Sequence, residues 1–171
     1  MPTIRDERPG DEAAVRAVVA AAFGAADEAD LVDLLRARGE VVLALVAELD
    51  GAVVGHILFS PLPLAGPERT IEAVALAPLA VAPERQRTGV GAALVRAGHA
   101  RLAAMGVPAV VVLGHPDYYP RFGFRAALAE NLVAPFSGPA FMAAELVPGT
   151  LAAAAGHRVR YASAFGVGAH R

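Results

Sequence analysis

The sequence predicts an α/β fold, on three observations. An apolar run from Val74 to Ala82, closed by Pro83, passes through a short basic glycine loop into an amphipathic stretch over about residues 90–105, the order strand, loop, helix. Two further apolar runs, 41–49 and 52–59, flank Asp50-Gly51, a dipeptide that tolerates the positive φ angles of a tight hairpin. The chain has 171 residues, 56% of them hydrophobic, enough for one domain, 1–171, with a self-sufficient core.

Residues 3–8 read as a first strand, and Pro9-Gly10-Asp11 as a turn that puts Asp11 at the N-cap of a helix running to Phe23. Asp27 caps a second helix, which carries Leu31, Leu34 and Leu35 and ends near Gly39. The hairpin over 41–59 leads to a turn-rich connection from Pro61 to Pro67, and residues 70–81 form the next strand. Pro78 is awkward inside that strand because proline removes a ladder donor; the plain reading is an edge strand that ends there. After the helix from 90 come a fifth strand over 108–113, a short helix over 118–122, and terminal strands near Phe124, over 141–147 and over 158–162. Alanine richness leaves 151–155 open between helix and strand. No internal repeat or low-complexity linker interrupts the chain.

Composition narrows the function. A formal charge of −2, with fifteen scattered arginines and no lysine, argues against a general nucleic-acid binder, which needs clustered cations. Zero cysteines excludes disulfides, thiolate nucleophiles and Cys-type zinc sites. Without lysine there is no Schiff-base chemistry. No Gly-x-Ser-x-Gly elbow surrounds Ser60, Ser137 or Ser163. The five histidines (His56, His99, His115, His157, His170) form no i,i+4 pair and no His-Glu-x-x-His motif, so no metal is expected. No apolar stretch reaches the roughly 18–20 residues of a membrane span, and the N-terminus has no apolar signal core; the expectation is a soluble cytoplasmic protein without a membrane partner. What remains suits direct transfer between two bound substrates.

The segment Arg85-Gln86-Arg87-Thr88-Gly89-Val90-Gly91 is the most informative in the chain. Amides at a helix start lack intrahelical partners, and the helix dipole favours negative charge there. Gly89 and Gly91 lack the Cβ atoms that would hold a phosphate away, and Arg85 and Arg87 add positive charge. Two familiar phosphate loops do not fit. A Walker loop needs lysine, and the chain has none. A dinucleotide fingerprint needs Gly or Ala where Leu94 stands and an acidic residue about 20 positions further on, whereas 107–116 contain neither Asp nor Glu. The bland alternative is a plain helix start with Thr88 as its N-cap.

A third pattern, Gln/Arg-x-x-Gly-x-Gly/Ala, is met by Gln86-Arg87-Thr88-Gly89-Val90-Gly91. Here the chain resembles the GNAT superfamily of N-acetyltransferases, which hold the pyrophosphate of acetyl-coenzyme A on that loop. A second match lies in order behind it. Gly114-His115-Pro116-Asp117-Tyr118-Tyr119-Pro120-Arg121-Phe122-Gly123-Phe124 is similar to the GNAT segment Tyr-x-x-x-Gly-Phe, and its paired tyrosines with Arg-Phe-Gly-Phe resemble the YhbS-like branch. Gly55-His56-Ile57-Leu58-Phe59-Ser60-Pro61 and Phe141-Met142-Ala143-Ala144-Glu145-Leu146 resemble that branch as well.

The resemblance implies a mixed, mostly antiparallel sheet with helices on both faces. Its fourth and fifth strands splay into a wedge for the pantetheine arm, and Pro78 fits such a break. It further implies that the main chain of Leu79, Ala80 and Val81 pairs with the pantetheine amides, and that Gln86, Arg87, Thr88, Gly89, Val90, Gly91 and Ala92 wrap the pyrophosphate. Tyr119 takes the place of the tyrosine that protonates the departing thiolate. Coenzyme A leaves with a thiol pKa near 8.5 against about 10 for tyrosine, so full donation runs uphill by about 2 kcal/mol and a strong hydrogen bond is the better description. A rim tyrosine is the plain alternative, with Tyr118 one residue off the spacing.

An amine acceptor must also lose a proton, at a cost of roughly 4 kcal/mol at pH 7, and the candidate bases are Glu28, His56 and Glu72. Glu28 belongs to the acidic group Asp27, Glu28, Asp30 and Asp33, in the helical region that the resemblance assigns to acceptor binding; a first helical turn favoured by the dipole explains the same residues. His56 is the second substrate-binding candidate or a core histidine, and Glu72 faces solvent in the plain reading. His115 and Asp117 stand open between ligand contact and local structure. The acceptor implied is a small-molecule or peptide amine, and homodimers are frequent in the superfamily. The alternative function is a non-catalytic acetyl-coenzyme A sensor or interaction module.

Overall fold

The computed structural model describes residues 1–167. Strand β1 (Thr3–Asp6) precedes helices α1 (Glu12–Phe23) and α2 (Asp27–Ala37). Strands β2 (Leu43–Leu49), β3 (Ala52–Ala65) and β4 (Thr70–Val81) follow, then helix α3 (Val90–Ala104) and strand β5 (Ala109–Leu113). The chain closes with α4 (Ala126–Ala129), β6 (Phe141–Glu145), α5 (Thr150–Ala153) and β7 (Arg158–Val159). The strands run in the order β1-β2-β3-β4-β5-β6, with β7 on β3. The β1–β2, β2–β3, β3–β7 and β5–β6 pairs are antiparallel, whereas β4–β5 is parallel. The α/β class and the mixed, mostly antiparallel sheet are as the sequence leads one to expect.

The residues gather into two compact units. The first comprises Met1–Phe59 with Ala77–Ala100. Its hairpin turns on Asp50 (φ 52°) and Gly51 (φ 77°), both left-handed as a two-residue turn of matching twist demands. Helix α1 buries Val15 and Val19, one turn apart, and α2 buries Val32 and Leu35, the spacing that puts apolar side chains on one helix face. Gly98 on α3 seats the ring of Phe59, since a Cβ there would meet its Cε2 and Cζ at 2.6 Å.

The second unit comprises Ser60–Leu76 with the described residues from Arg101 onward. Its core takes alternate residues from four strands: Leu62 and Leu64, Ala73 and Ala75, Ala109 and Val111, Phe141 and Ala143. A period of two lines one sheet face. Strand β4 keeps register with β5 over Val74–Leu76 against Val110–Val112. The Ala77-Pro78 bond that follows is cis, and the strand itself continues to Val81.

Several local expectations need correction. Asp11 takes helical angles and makes no capping bond; its carboxylate instead accepts from Arg5 Nη1 (2.8 Å), Arg5 Nη2 (3.1 Å) and the Arg8 amide (2.7 Å). Asp27 is itself helical, with Ala26 in the cap position. Strand β3 runs through Pro61 and Pro63, which fall in the gap between β2's register, ending at Phe59, and β7's, beginning at Leu64. Phe124 starts no strand; a single bridge, Arg125 to Ala143, precedes α4. Residues 151–155 resolve as helix α5 followed by a turn. His170 lies outside the described residues.

Candidate active site

In the first unit β4 ends at Val81, and the Ala82 amide donates to Val54 O at 2.8 Å. One 3-10 turn, Pro83–Arg85, leads into the glycine loop. Gln86 Nε2 donates back to Val81 O at 3.1 Å, tying the loop to the strand end. The Thr88 hydroxyl donates to Arg85 O, so Thr88 braces the loop rather than capping the helix, which begins after Gly89. Arg87 (φ 63°) and Gly89 (φ 93°) are left-handed, folding the chain tightly while residues 83–89 stay exposed. The helical ladder opens with Ala93 N–H on Gly89 O at 3.0 Å, which leaves the amides of Val90, Gly91 and Ala92 ahead of the first intrahelical bond. An exposed loop of this form can take an anion on its main-chain amides.

Beneath that helix start lies Gly55. A Cβ there would stand 2.9 Å from Leu94 Cδ1, 3.0 Å from Val90 Cγ1 and 3.3 Å from Ala80 O. The glycine of β3 therefore lets the strand and the first turn of α3 close to a distance no side chain allows.

His56, beside it, is fully buried. Its Nε2 stands 3.0 Å from Glu7 Oε1. Arg36 clasps the same carboxylate with both arms, Nε on Oε2 at 2.9 Å and Nη2 on Oε1 at 2.7 Å. Burial would raise the Glu7 carboxyl, but the His56 ring and the Arg36 guanidinium outweigh it and hold it at about 2. Arg36 Nη1 also reaches Asp33 at 3.0 Å, and Arg16 bridges Asp33 (2.7 Å) and Asp30 (2.8 Å). This ladder of charge binds α1 and α2 to the end of β1. Glu28 stands in the first turn of α2, half-buried, and Glu72 is exposed.

In the second unit Tyr119 opens a 3-10 turn, Tyr119–Phe122. The ring is 9% exposed, and Gly114 makes room for it: a Cβ at that position would lie 2.4 Å from Tyr119 Cε2. Tyr118, Phe122 and Phe124 meet it edge-on, with centroids at 5.2, 6.5 and 5.6 Å. Burial above all, with the neighbouring Tyr118, pushes the Tyr119 phenol up to about 12. Such a phenol keeps its proton at every physiological pH and acts as a hydrogen-bond donor.

Leu79, Ala80, Val81, the loop over 86–92, Glu28 and His56 thus stand in the first unit, and Tyr119 in the second. Glu7, the partner of His56, and Arg36, which clasps Glu7, carry no local signal: they are 29 residues apart in sequence, and only the fold pairs them. Gly114 and Arg121 lie within the quoted motif, and it is their contacts with Tyr119 and Tyr118 that the sequence does not spell out.

Comparison with known proteins gives the class. The model of the acetyltransferase (GNAT) domain family matches residues 3–127. The chain belongs to this family and is an acyltransferase. It is 42% identical over 123 residues to the uncharacterized N-acetyltransferase YjhQ of Escherichia coli K12, covering 71% of this chain and 68% of YjhQ. It is 39% identical over 130 residues to the uncharacterized N-acetyltransferase YhbS of the same strain, covering 75% and 77% of the two chains. The crystal structure of Escherichia coli YhbS in complex with CoA superposes with a TM-score of 0.87 at 34% identity, over 96% of this chain and 92% of that one. A GNAT family acetyltransferase from Brucella melitensis in complex with acetyl-CoA gives 0.80 at 38% identity, over 96% and 98%.

Proposed function

We propose that the chain, as one domain over 1–171, moves an acetyl group from acetyl-coenzyme A directly to an amine in a ternary complex. The single observation that carries this reading is the exposed turn over 83–89, which runs into helix amides lying before the first intrahelical bond. It is supported by similar proteins that bind CoA and acetyl-CoA. The residues 86–92 grip the pyrophosphate, and the main chain of Leu79, Ala80 and Val81 meets the pantetheine amides. Their apolar side chains offer no hydrogen bonds, so the polar contacts come from backbone.

The amine nitrogen attacks the thioester carbonyl carbon; a C–N bond forms, the C–S bond breaks, and the amine's extra proton leaves to a base. Glu28 is that base in this reading. Glu7 is not, since a carboxylate held at about 2 is a weak proton acceptor at neutral pH. His56 acts on the acceptor side through Glu7. Tyr119 hydrogen-bonds the departing thiolate. With its phenol at about 12 against a thiol near 8.5, complete proton transfer costs roughly 5 kcal/mol, so stabilisation of developing charge is its contribution.

The acceptor is a small-molecule or peptide amine. The test is thiol release from acetyl-coenzyme A against a panel holding an aromatic monoamine, a polyamine, a peptide N-terminus and a lysine peptide, beside calorimetric binding of the donor. Turnover with at least one amine is expected. Donor binding without release from any amine would turn the reading into a cofactor sensor, and absence of donor binding would end both.

A further inference from the structure

We propose that Arg121 is a positioning residue for Tyr119, acting through Tyr118; the catalytic side of this rests on the reading of Tyr119 above. The Arg121 guanidinium straddles the turn. Its Nε donates to Tyr118 O at 2.8 Å and its Nη2 to Asp117 O at 3.3 Å, while Cζ lies 4.6 Å from the centre of the Tyr118 ring. One side chain therefore fixes two carbonyls and one ring, all on the residues just ahead of Tyr119.

That ring passes the constraint on. Tyr118 meets Tyr119 at 5.2 Å with planes 86° apart, so a turn of Tyr118 about its own bonds would drive its edge into Tyr119 or withdraw it. The Gly114 backbone also lies close against the Tyr119 ring, with Phe124 at 5.6 Å. The direction of the phenol is set between this backbone and the ring that Arg121 holds. Within the turn the amides of Tyr118 and Tyr119 share His115 O at 3.1 and 3.3 Å, and Gly123 N–H reaches Pro120 O at 3.1 Å. Pro120 brings no N–H. The Arg121 side chain adds a clamp from within the turn to the two carbonyls ahead of it. Lysine would keep the charge over the ring but cannot fork onto two carbonyls.

The experiment labels the tyrosines with 13C at Cζ and assigns Tyr119 by its loss in Tyr119→Phe. In Arg121→Ala the Tyr119 resonance should move while that of Tyr161 stays, and Arg121→Lys should fall between Arg121→Ala and the native protein. Thiol release is then followed with the fastest amine of the panel. Arg121→Ala should lower kcat about tenfold with KM for acetyl-coenzyme A within about twofold, as misaimed catalytic groups do, and should add nothing in the Tyr119→Phe background. An unmoved Tyr119 resonance in Arg121→Ala, or losses that multiply in the double variant, overturns the proposal; if Arg121→Ala does not fold, Arg121→Lys is read by the same criteria. A moved resonance with Tyr119→Phe turning over at the native rate would leave the positioning role standing and remove the catalytic role of Tyr119.

Discussion

At the scale of single residues, burial pushes both the Tyr119 phenol and the Glu7 carboxyl up, yet the two end shifted in opposite directions, because the charged partners of Glu7 outweigh its burial. Tyr119 has none and keeps its proton; Glu7 has Arg36 and His56 and loses it. Tyr119→Phe keeps the ring packing and removes the donor, so kcat should fall about tenfold or more with KM for the donor little changed, read by thiol release. Glu7→Gln leaves Arg36 and His56 without their carboxylate and should cost about 3 kcal/mol, the scale for uncoupling a largely buried pair, read from urea denaturation. The tyrosine was legible in the sequence because its partners in the motif are adjacent. The carboxylate was not, because its role depends on side chains 29 and 49 positions away.

At the scale of elements, the loop and its helix were legible to the residue: strand β4 over Thr70–Val81 and a helix opening at Val90. Gly89 and Gly91 serve the helix start from inside the motif. Gly55 serves it from another strand, where no pattern betrays it. Gly55→Ala should push Leu94 and Val90 outward, cost about 1–3 kcal/mol as overpacking does, and raise KM for acetyl-coenzyme A severalfold. Gly89→Ala meets no neighbour but must hold φ 93°, costing about 1–2 kcal/mol with a comparable loss of donor affinity. A titration in which Gly55→Ala binds the donor as the native protein does would separate strand packing from loop function. The caps failed as sequence signals for a different reason. Asp11 has an arginine within reach from β1, and a charged partner outbids a backbone amide.

At the scale of the molecule, the titrating groups define a pH range. Glu7 and Asp11 are both held at about 2, Glu7 by His56 and Arg36 against its burial, Asp11 chiefly by Arg5. Lowered carboxyls stabilise fully above their unfolded values and lose that contribution as pH falls from about 4.5 to 2. Tyr119 and Tyr161 are raised to about 12 by burial; their contribution is complete below about 10 and lost as pH rises from there to 12. Burial lowers His99 as well, so stability begins to fall below about pH 6.5, where the unfolded imidazole takes up a proton. Urea midpoints should therefore form a plateau between about pH 7 and 10 and decline on both sides, and Glu7→Gln should flatten the steeper acid part below about pH 4.5. Most of the strands were legible from period and turn chemistry, and the mixed, mostly antiparallel sheet from the family resemblance. The path of β3 through Pro61 and Pro63 was not, since whether a missing donor matters depends on which strands lie alongside.

The charge ladder from Arg16 through Asp33 and Arg36 to Glu7 contains arginine as its sole cation, in a chain without a single lysine. A guanidinium stays protonated well above pH 12 and is no nucleophile toward thioesters. The molecule can therefore be stored with a large excess of activated acetyl donor, at mildly alkaline pH, without its own tertiary supports being chemically erased. The urea midpoint after such incubation should match that of the untreated protein.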